Sequence, residues 1–315
     1  MAYQTGSYTD QNNVLALFSS FLLSQGWVIN DFADDSSAYA GAVFTGKRLH
    51  VQKSIEGVDY FFNLRSCSGQ RVFSYDGYAY VTGICVNGST GYSAGSTWDT
   101  QPNYTPNAHG DPASSGGCLD GVLETGGNYY FFESGSSAHM ALDTGSANGE
   151  LRFISIGATD TGKAVYSASG GSNGMFGSDY DYRSYYTSAG YGMGLKTNQN
   201  ALYDPTSGNW FNGTSDNRDN TYVSFSRHSL TSPGPDYWYM ENSPDPFRGN
   251  APLPPYEFLV SETSYSVIRS GGVLSGVYFV NMKNYTEGQE ISLGSDTYKC
   301  FSIYTPKDYG VVFKK

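Results

Sequence analysis

Seven carboxylates and four histidines are the residues through which this chain could do hydrolytic or metal chemistry. A glycosidase needs two carboxyl groups across a sugar site, about 5 to 9.5 Å apart. Asp99, Asp111, Asp120, Glu124, Asp179, Asp181 and Glu241 are of the right type. Asp179 and Asp181 would share one face of an extended segment, beside Tyr180 and Tyr182. Yet 29 acids scattered over 315 residues produce such pairs by chance. A calcium loop needs several more oxygens at fixed offsets than Asp34-Asp35 or Asp179/Asp181 can supply.

The histidines are no more specific. His50 and His139 fall in strand-like runs, where the plain reading is a polar residue facing its cross-strand neighbour. His109 sits in a Gly/Pro/Asn loop near Asp111, and His228 follows Arg227. HxH and HExxH motifs and a P-loop are missing, and no nucleophile elbow, a GxSxG turn leading from a strand into a helix, is expected. The glycines of GSTGYSAG at 88–95 follow a strand but lead into no helix, so a dinucleotide site is not expected there. The chain reads as non-enzymatic, with no catalytic residue, no metal and no cofactor expected.

Aromatic residues carry more information. Tyrosine numbers 28 and glycine 39, against 47 charged residues in all. Surfaces rich in Tyr, Ser, Gly and Asn resemble binding loops, where tyrosine supplies amphipathic contact area at low entropy cost. Trp98, Trp210 and Trp238 lie in long polar stretches beside Tyr104, Tyr185, Tyr186 and Tyr237. With Tyr180 and Tyr182, these nine are the candidate binding residues, for a protein interface or for stacking on a glycan. The alternative is that their rings form small cores that pin long loops.

Those residues have to be held by a β-rich frame. After Asp10 as N-cap, Val14, Leu17, Phe18, Phe21 and Leu22 follow helical spacing, and Gly26 suits a left-handed stop. Strands are expected from Trp27, over 47–54 with Leu49 and Val51 inward, and over 59–65, with a turn at Glu56-Gly57; 36–46 reads as a loop. Residues 1–65 thus read as an α+β anchoring domain of one helix and a three-stranded meander. Residues 66–315 read as a β-rich domain with long Gly/Tyr/Ser loops, an antiparallel sandwich or barrel. Strands are expected at 71–75, 78–86, 128–133, 137–143, 151–156, 221–226, 257–261, 265–269, 276–281, 297–304 and 309–314. The polar stretches 87–120, 158–220 and 229–256 separate them.

Charge and cysteine content narrow the setting. A net charge of −11 argues against a nucleic-acid partner, which requires a basic face. The longest apolar runs are far too short for a transmembrane helix, and the first residues show no leader pattern, so no membrane insertion is expected. Cys67, Cys85, Cys118 and Cys300 form no CxxC pair and are expected to be unpaired, a Cys67–Cys85 bridge requiring neighbouring strands.

Several segments, in order, resemble a family of tailed-bacteriophage virion proteins. They are MAYQTG at the start, SQGW at 24–27, KRLHVQK at 47–53 and FFNLRS at 61–66. NGSTGY at 87–92 follows, with Trp98 and QPNY at 101–104, then YYFFES at 129–134 and ELRFISIG at 150–157. The likeness resumes from Gly276 to Phe301 and closes with YGVVFKK at 309–315, being weakest over 175–250. The resemblance implies a structural component of the particle, in the tail or baseplate, and brings no catalytic residues with it. The expected partners are other copies of itself, other tail or baseplate proteins and a host surface glycan. The expected setting is the virion, after synthesis in the host bacterial cytoplasm. A carbohydrate-binding, receptor-recognition protein of the virion is the competing expectation.

Overall fold

Asp10 starts the helix as its sequence position requires. Its backbone is extended, and its Oδ1 accepts a hydrogen bond from the Asn13 amide at 2.8 Å, capping α1, Gln11–Ser24. At the other end Gly26 takes φ +75°, the left-handed conformation that stops a helix, and the Trp27 amide bonds back to the Leu22 carbonyl. The computed structural model describes residues 1–39, 42–55, 57–74, 77–98, 100–104, 117–120, 126–143, 151–159, 173–178, 201–204, 209–212, 222–225, 255–262, 267–304 and 309–315.

Strand β1, Ala2–Tyr8, precedes the helix, and β2 (Val28–Tyr39), β3 (Ala42–Ile55), β4 (Val58–Ser74) and β5 (Gly77–Ser89) follow it. Then come β6 (Gly117–Asp120), β7 (Gly127–Glu133), β8 (Ser137–Asp143), β9 (Leu151–Ala158), β10 (Asn173–Ser178), β11 (Ala201–Asp204) and β12 (Asn209–Asn212). The last are β13 (Tyr222–Phe225), β14 (Pro255–Glu262), β15 (Val267–Asn281), β16 (Glu290–Leu293), β17 (Asp296–Tyr304) and β18 (Tyr309–Lys314). They form three antiparallel sheets. The front sheet runs β2-β3-β4-β5-β6, the middle sheet β1-β7-β8-β9-β10-β11-β12, and the rear sheet β13-β14-β15-β18-β17-β16. The protein is mainly β, with its one described α-helix near the N-terminus, as expected. No helix among the described residues is long and apolar enough to cross a membrane.

Helix α1 lies between the front and middle sheets. Val14, Leu15, Phe18, Phe21 and Leu22 are buried to within 2%. On the front sheet they join Leu49, Val51, Phe62, Leu64, Ile84 and Val86 in one cluster. Phe131, Met140, Leu142, Ile154 and Ile156 of the middle sheet belong to the same cluster, and Phe131 lies 5.0 Å from Phe18 and 5.6 Å from Phe21 between ring centroids. Alternate residues of the middle sheet face the rear sheet instead. There Phe313 stacks on Phe132 at 4.8 Å and meets Phe153 and Phe301 edge-on at 5.4 and 5.8 Å. The sandwich element is this seam between two sheets.

Several expectations can be set against the structure. The position between residues 65 and 66 lies inside β4, and the cluster around α1 draws on residues from Tyr8 to Ala158. Residues 36–46 read as a loop because Ser, Ala and Gly dilute the alternation. The backbone instead continues β2 and β3 as a hairpin as far as the Tyr39–Ala42 pair. Cys85 is disulfide-bonded, whereas Cys300 is buried and takes no part in a disulfide. Sheet register explains what linear spacing hid: Cys85 stands opposite Cys118 on β6, and Cys67 stands opposite Gly83, two positions away along β5. The runs at 265–269 and 276–281 are one strand, β15, whose pairing with β14 slips at an irregularity. Strands β1, β6, β10, β11, β12 and β16 have no counterpart in the sequence reading.

Candidate functional site: a polar row under a capping loop

The front sheet buries polar residues on the face that α1 does not cover. Register sets Asp31, His50, Asn63 and Asn87 side by side on β2, β3, β4 and β5. Because strand side chains alternate, the residues between them face the helix and these face away. His50, Asn63 and Asn87 are at most 2% exposed, and so is the neighbouring Ser89. A buried polar group needs a partner, and each of these has one.

The hydrogen bonds run in one direction. His50 Nδ1 lies 2.7 Å from Asn63 Oδ1, which can only accept, so the proton sits on Nδ1. The Asn63 amide nitrogen donates to Asn87 Oδ1 at 2.7 Å and to Ser89 Oγ at 3.1 Å. Asn87 in turn donates to the Trp98 carbonyl at 3.2 Å, and Ser89 to the Gly91 carbonyl at 2.9 Å. The row therefore ends in the loop that follows β5. The Tyr92 ring of that loop covers His50, with 5.3 Å between centroids.

Gln101 holds the loop closed. Its side chain, 1% exposed, accepts from the Ser93 amide at 2.7 Å and donates to the carbonyls of Ser93, Ser96 and Thr97 at 3.0 to 3.2 Å. The Thr90 amide reaches the Pro102 carbonyl at 3.0 Å, closing the base. Asn103, just past that base, adopts φ +44°, and Tyr104 beside it is 36% exposed. The three fragments noted in sequence, NGSTGY, Trp98 and QPNY, are thus parts of one tied loop.

Charged groups surround the open end of the row. Arg48 Nε pairs with Asp31 at 2.6 Å, and Arg65 Nε with Asp35 at 2.8 Å. Burial holds the His50 imidazole below its ordinary value, opposed by the Asn63 bond and by Asp31 and Asp35. The Asp31 bond raises Arg48. Lys47 bonds to Asp34 at 2.6 Å and lowers that carboxyl. Asp34-Asp35 therefore serves three basic side chains in ion pairs, a different use from the calcium ligands weighed in sequence.

His139 is the second buried histidine and is placed differently. It sits in the seam between middle and rear sheets, fully buried, with Nδ1 2.7 Å from Ser155 Oγ and Nε2 3.2 Å from the Ser275 carbonyl. The carbonyl can only accept, so Nε2 carries the proton and Nδ1 accepts from the serine hydroxyl. Burial pushes its imidazole down to about 4. Both histidines are hydrogen-bonded to neighbours across a strand, the plain reading of their sequence context.

Of the nine candidate binding residues, Trp98, Tyr104 and Trp210 lie among the described residues. Trp98 is 2% exposed and pins the loop from within, while Tyr104 stands at its surface. Trp210 lies on β12 opposite Tyr203. Tyr180, Tyr182, Tyr185, Tyr186, Tyr237 and Trp238 lie outside the described residues, as do Asp99, Asp111, Glu124, Asp179, Asp181, Glu241, His109 and His228. Asp120 is on β6, opposite Gly83. Sequence reasoning missed Asp31, Arg48, Asn63, Asn87, Ser89, Tyr92 and Gln101. The available signal was polar residues at inward-alternating positions of apolar strands, a pattern that marks a second, polar layer. No protein-family model matches the chain, and no curated protein matches it in sequence.

Proposed function

We propose that the chain is a non-enzymatic structural component of a bacteriophage virion, in the tail or baseplate, present as symmetric copies. The observation that carries this reading is the tied loop. The fragments that resemble virion proteins, at 87–92, Trp98 and 101–104, are drawn together by Asn87 and Gln101 into one unit. The other resembling segments also lie on core elements: 47–53 on β3, 61–66 on β4, 129–134 on β7 and 309–315 on β18. The two buried histidines are held in structural hydrogen bonds, His50 to Asn63 across the front sheet and His139 to Ser275 from the middle sheet to the rear sheet.

Mass spectrometry of purified particles, scaled to the major capsid protein, tests the reading. A fixed copy number at a multiple of three or six supports it, and absence from the particle overturns it. Tyr104, exposed beside the base of the tied loop, favours a second reading as a glycan-recognising virion protein, because preorganised aromatic loops lose little entropy on binding. A glycan screen repeated with Tyr104→Ala separates the two: binding that depends on Tyr104 supports recognition, and no binding removes it.

A further inference from the structure

We propose that β1, the edge strand Ala2–Tyr8, receives an acidic, extended segment of a partner protein as an added strand of the middle sheet. The inference does not rest on the virion reading. Among the described residues β1 pairs with β7 alone, so its other edge presents backbone groups with no strand beside them. Its pairing runs from Ala2–Glu133 to Tyr8–Gly127 without a bulge, and AYQTGSY holds no charged residue and no proline. Thr5 and Ser7, on the same side of the strand as Tyr3, are exposed.

Unpaired strand edges attract other strands, and proteins guard them with charges, bulges and short lengths. Strand β2, an edge of the front sheet, has a bulge between Ile29 and Asp31 and carries Asp31, Asp34 and Asp35. Strand β16, an edge of the rear sheet, is four residues long and begins with Glu290. Strand β1 has none of these devices. Over its Tyr3 ring stand two cations of the rear sheet instead, the ammonium groups of Lys315 and Lys299, 4.7 and 5.8 Å from the ring centre. Both contact one oxygen of Glu290, at 2.9 and 3.5 Å, so a single carboxylate is shared between two cations. The hydrogen bond from Lys315, aided by the charge of both lysines, holds that carboxyl below its ordinary range. Glu133, opposite Ala2, belongs to the other side of the sheet and is paired with Lys53.

Charge selects the occupant. Residues directly opposite one another on paired strands share a face, so a residue added opposite Tyr3 lies on the side of Lys315 and Lys299. A carboxylate there gives the two ammonium groups a second anion, whereas a basic residue meets two like charges. A second copy of β1 brings only uncharged side chains to that position, and two chains of net charge −11 repel each other. In such an addition the main-chain hydrogen bonds supply affinity, and the side chain opposite Tyr3 supplies the choice of partner.

Fluorescence anisotropy and hydrogen exchange on the full chain test this, with a labelled peptide of alternating Thr and Glu, matched to β1 in length, as the probe and its Thr/Lys counterpart as the control. The expected result is binding of the acidic peptide alone, weakened by added salt, with the amides of 2–8 slowing as it binds. Lys315→Ala should weaken that binding about tenfold while leaving the melting temperature unchanged, and Lys315→Glu should abolish it. Equal binding of the two peptides overturns the proposal. So does an acidic peptide that stays unbound at millimolar concentration, or one that binds while exchange over 2–8 is unchanged. Slowing of those amides with protein concentration alone assigns the edge to a second copy and overturns it as well. The comparison of peptides uses the unaltered chain, so it decides even if a variant fails to fold.

Discussion

Two buried histidines mark two different kinds of layer contact. His139 sits against Phe313, with 5.5 Å between ring centroids, and its polar partners among the described residues are serine hydroxyls and one carbonyl. His50 sits second in a row that begins with the Asp31–Arg48 ion pair. A proton arriving at His139 finds no carboxylate among the described residues, whereas one arriving at His50 is partly compensated by Asp31 and Asp35 and opposed by Arg48. An apolar seam fastened by one neutral ring is thus strong and acid-sensitive. A polar row leading to solvent-facing charges is more tolerant.

The largest effect should come from removing the seam's central ring. Phe313→Ala takes away the partner of Phe132, Phe153 and Phe301 and should cost about 3–5 kcal/mol, read by denaturant unfolding. A loss below about 1 kcal/mol would mean that the rear sheet is held chiefly elsewhere. Acid comes next. The folded value of His139 is about 4, below the ordinary 6.5, so its contribution to stability is complete above pH 6.5 and is lost as pH falls toward 4. At about 1.4 kcal/mol per unit, that loss reaches roughly 3 kcal/mol. His139→Gln should flatten the pH profile between 6.5 and 4, and His50→Gln should flatten it less; the reverse order would invert the comparison.

On the polar side, Gln101→Ala leaves one amide and three carbonyls of the loop without their partner. About 1–3 kcal/mol should be lost, with hydrogen exchange quickening over 90–104 before any change in the seam. Equal quickening in both places would show that the loop and the seam unfold as one unit. The smallest effect belongs to the surface: Lys47→Ala removes the partner of the exposed Asp34 and should leave the midpoint of unfolding almost unchanged, as measured by denaturant unfolding.

Local structure was legible from the residues and non-local structure was not. The Asp10 cap, the α1 stripe and the Gly26 stop each depend on neighbours within a turn, and all three are present. The hairpin at Ile55–Val58 was equally plain, because Leu49 and Val51 alternate cleanly with polar residues. The polar row depends on partners 13 and 24 residues apart, matched only by register. The same holds for the disulfide at Cys85, since nothing in its surroundings reveals which strand lies beside it. In 36–46 the composition suggested a turn, yet pairing across the hairpin outweighed weak strand propensity. Of the candidate site, His50 was named for the role it has, while the side chains that position it were invisible as a group.

Strand β1 has a consequence for the order in which the chain is made. Residues 2–8 leave the ribosome well before 127–133, the segment with which they pair among the described residues, from Ala2–Glu133 to Tyr8–Gly127. At roughly 5–20 residues per second, β1 waits on the order of ten seconds for its partner. During that interval α1, with its row of buried phenylalanines, can dock on the front sheet, whose first four strands end at Ser89. It has no middle sheet to cover its other side. The half-built protein therefore carries a bare aromatic face and an unpaired first strand at the same moment, and its yield in the cell is set by how quickly residues 127–156 arrive to close both.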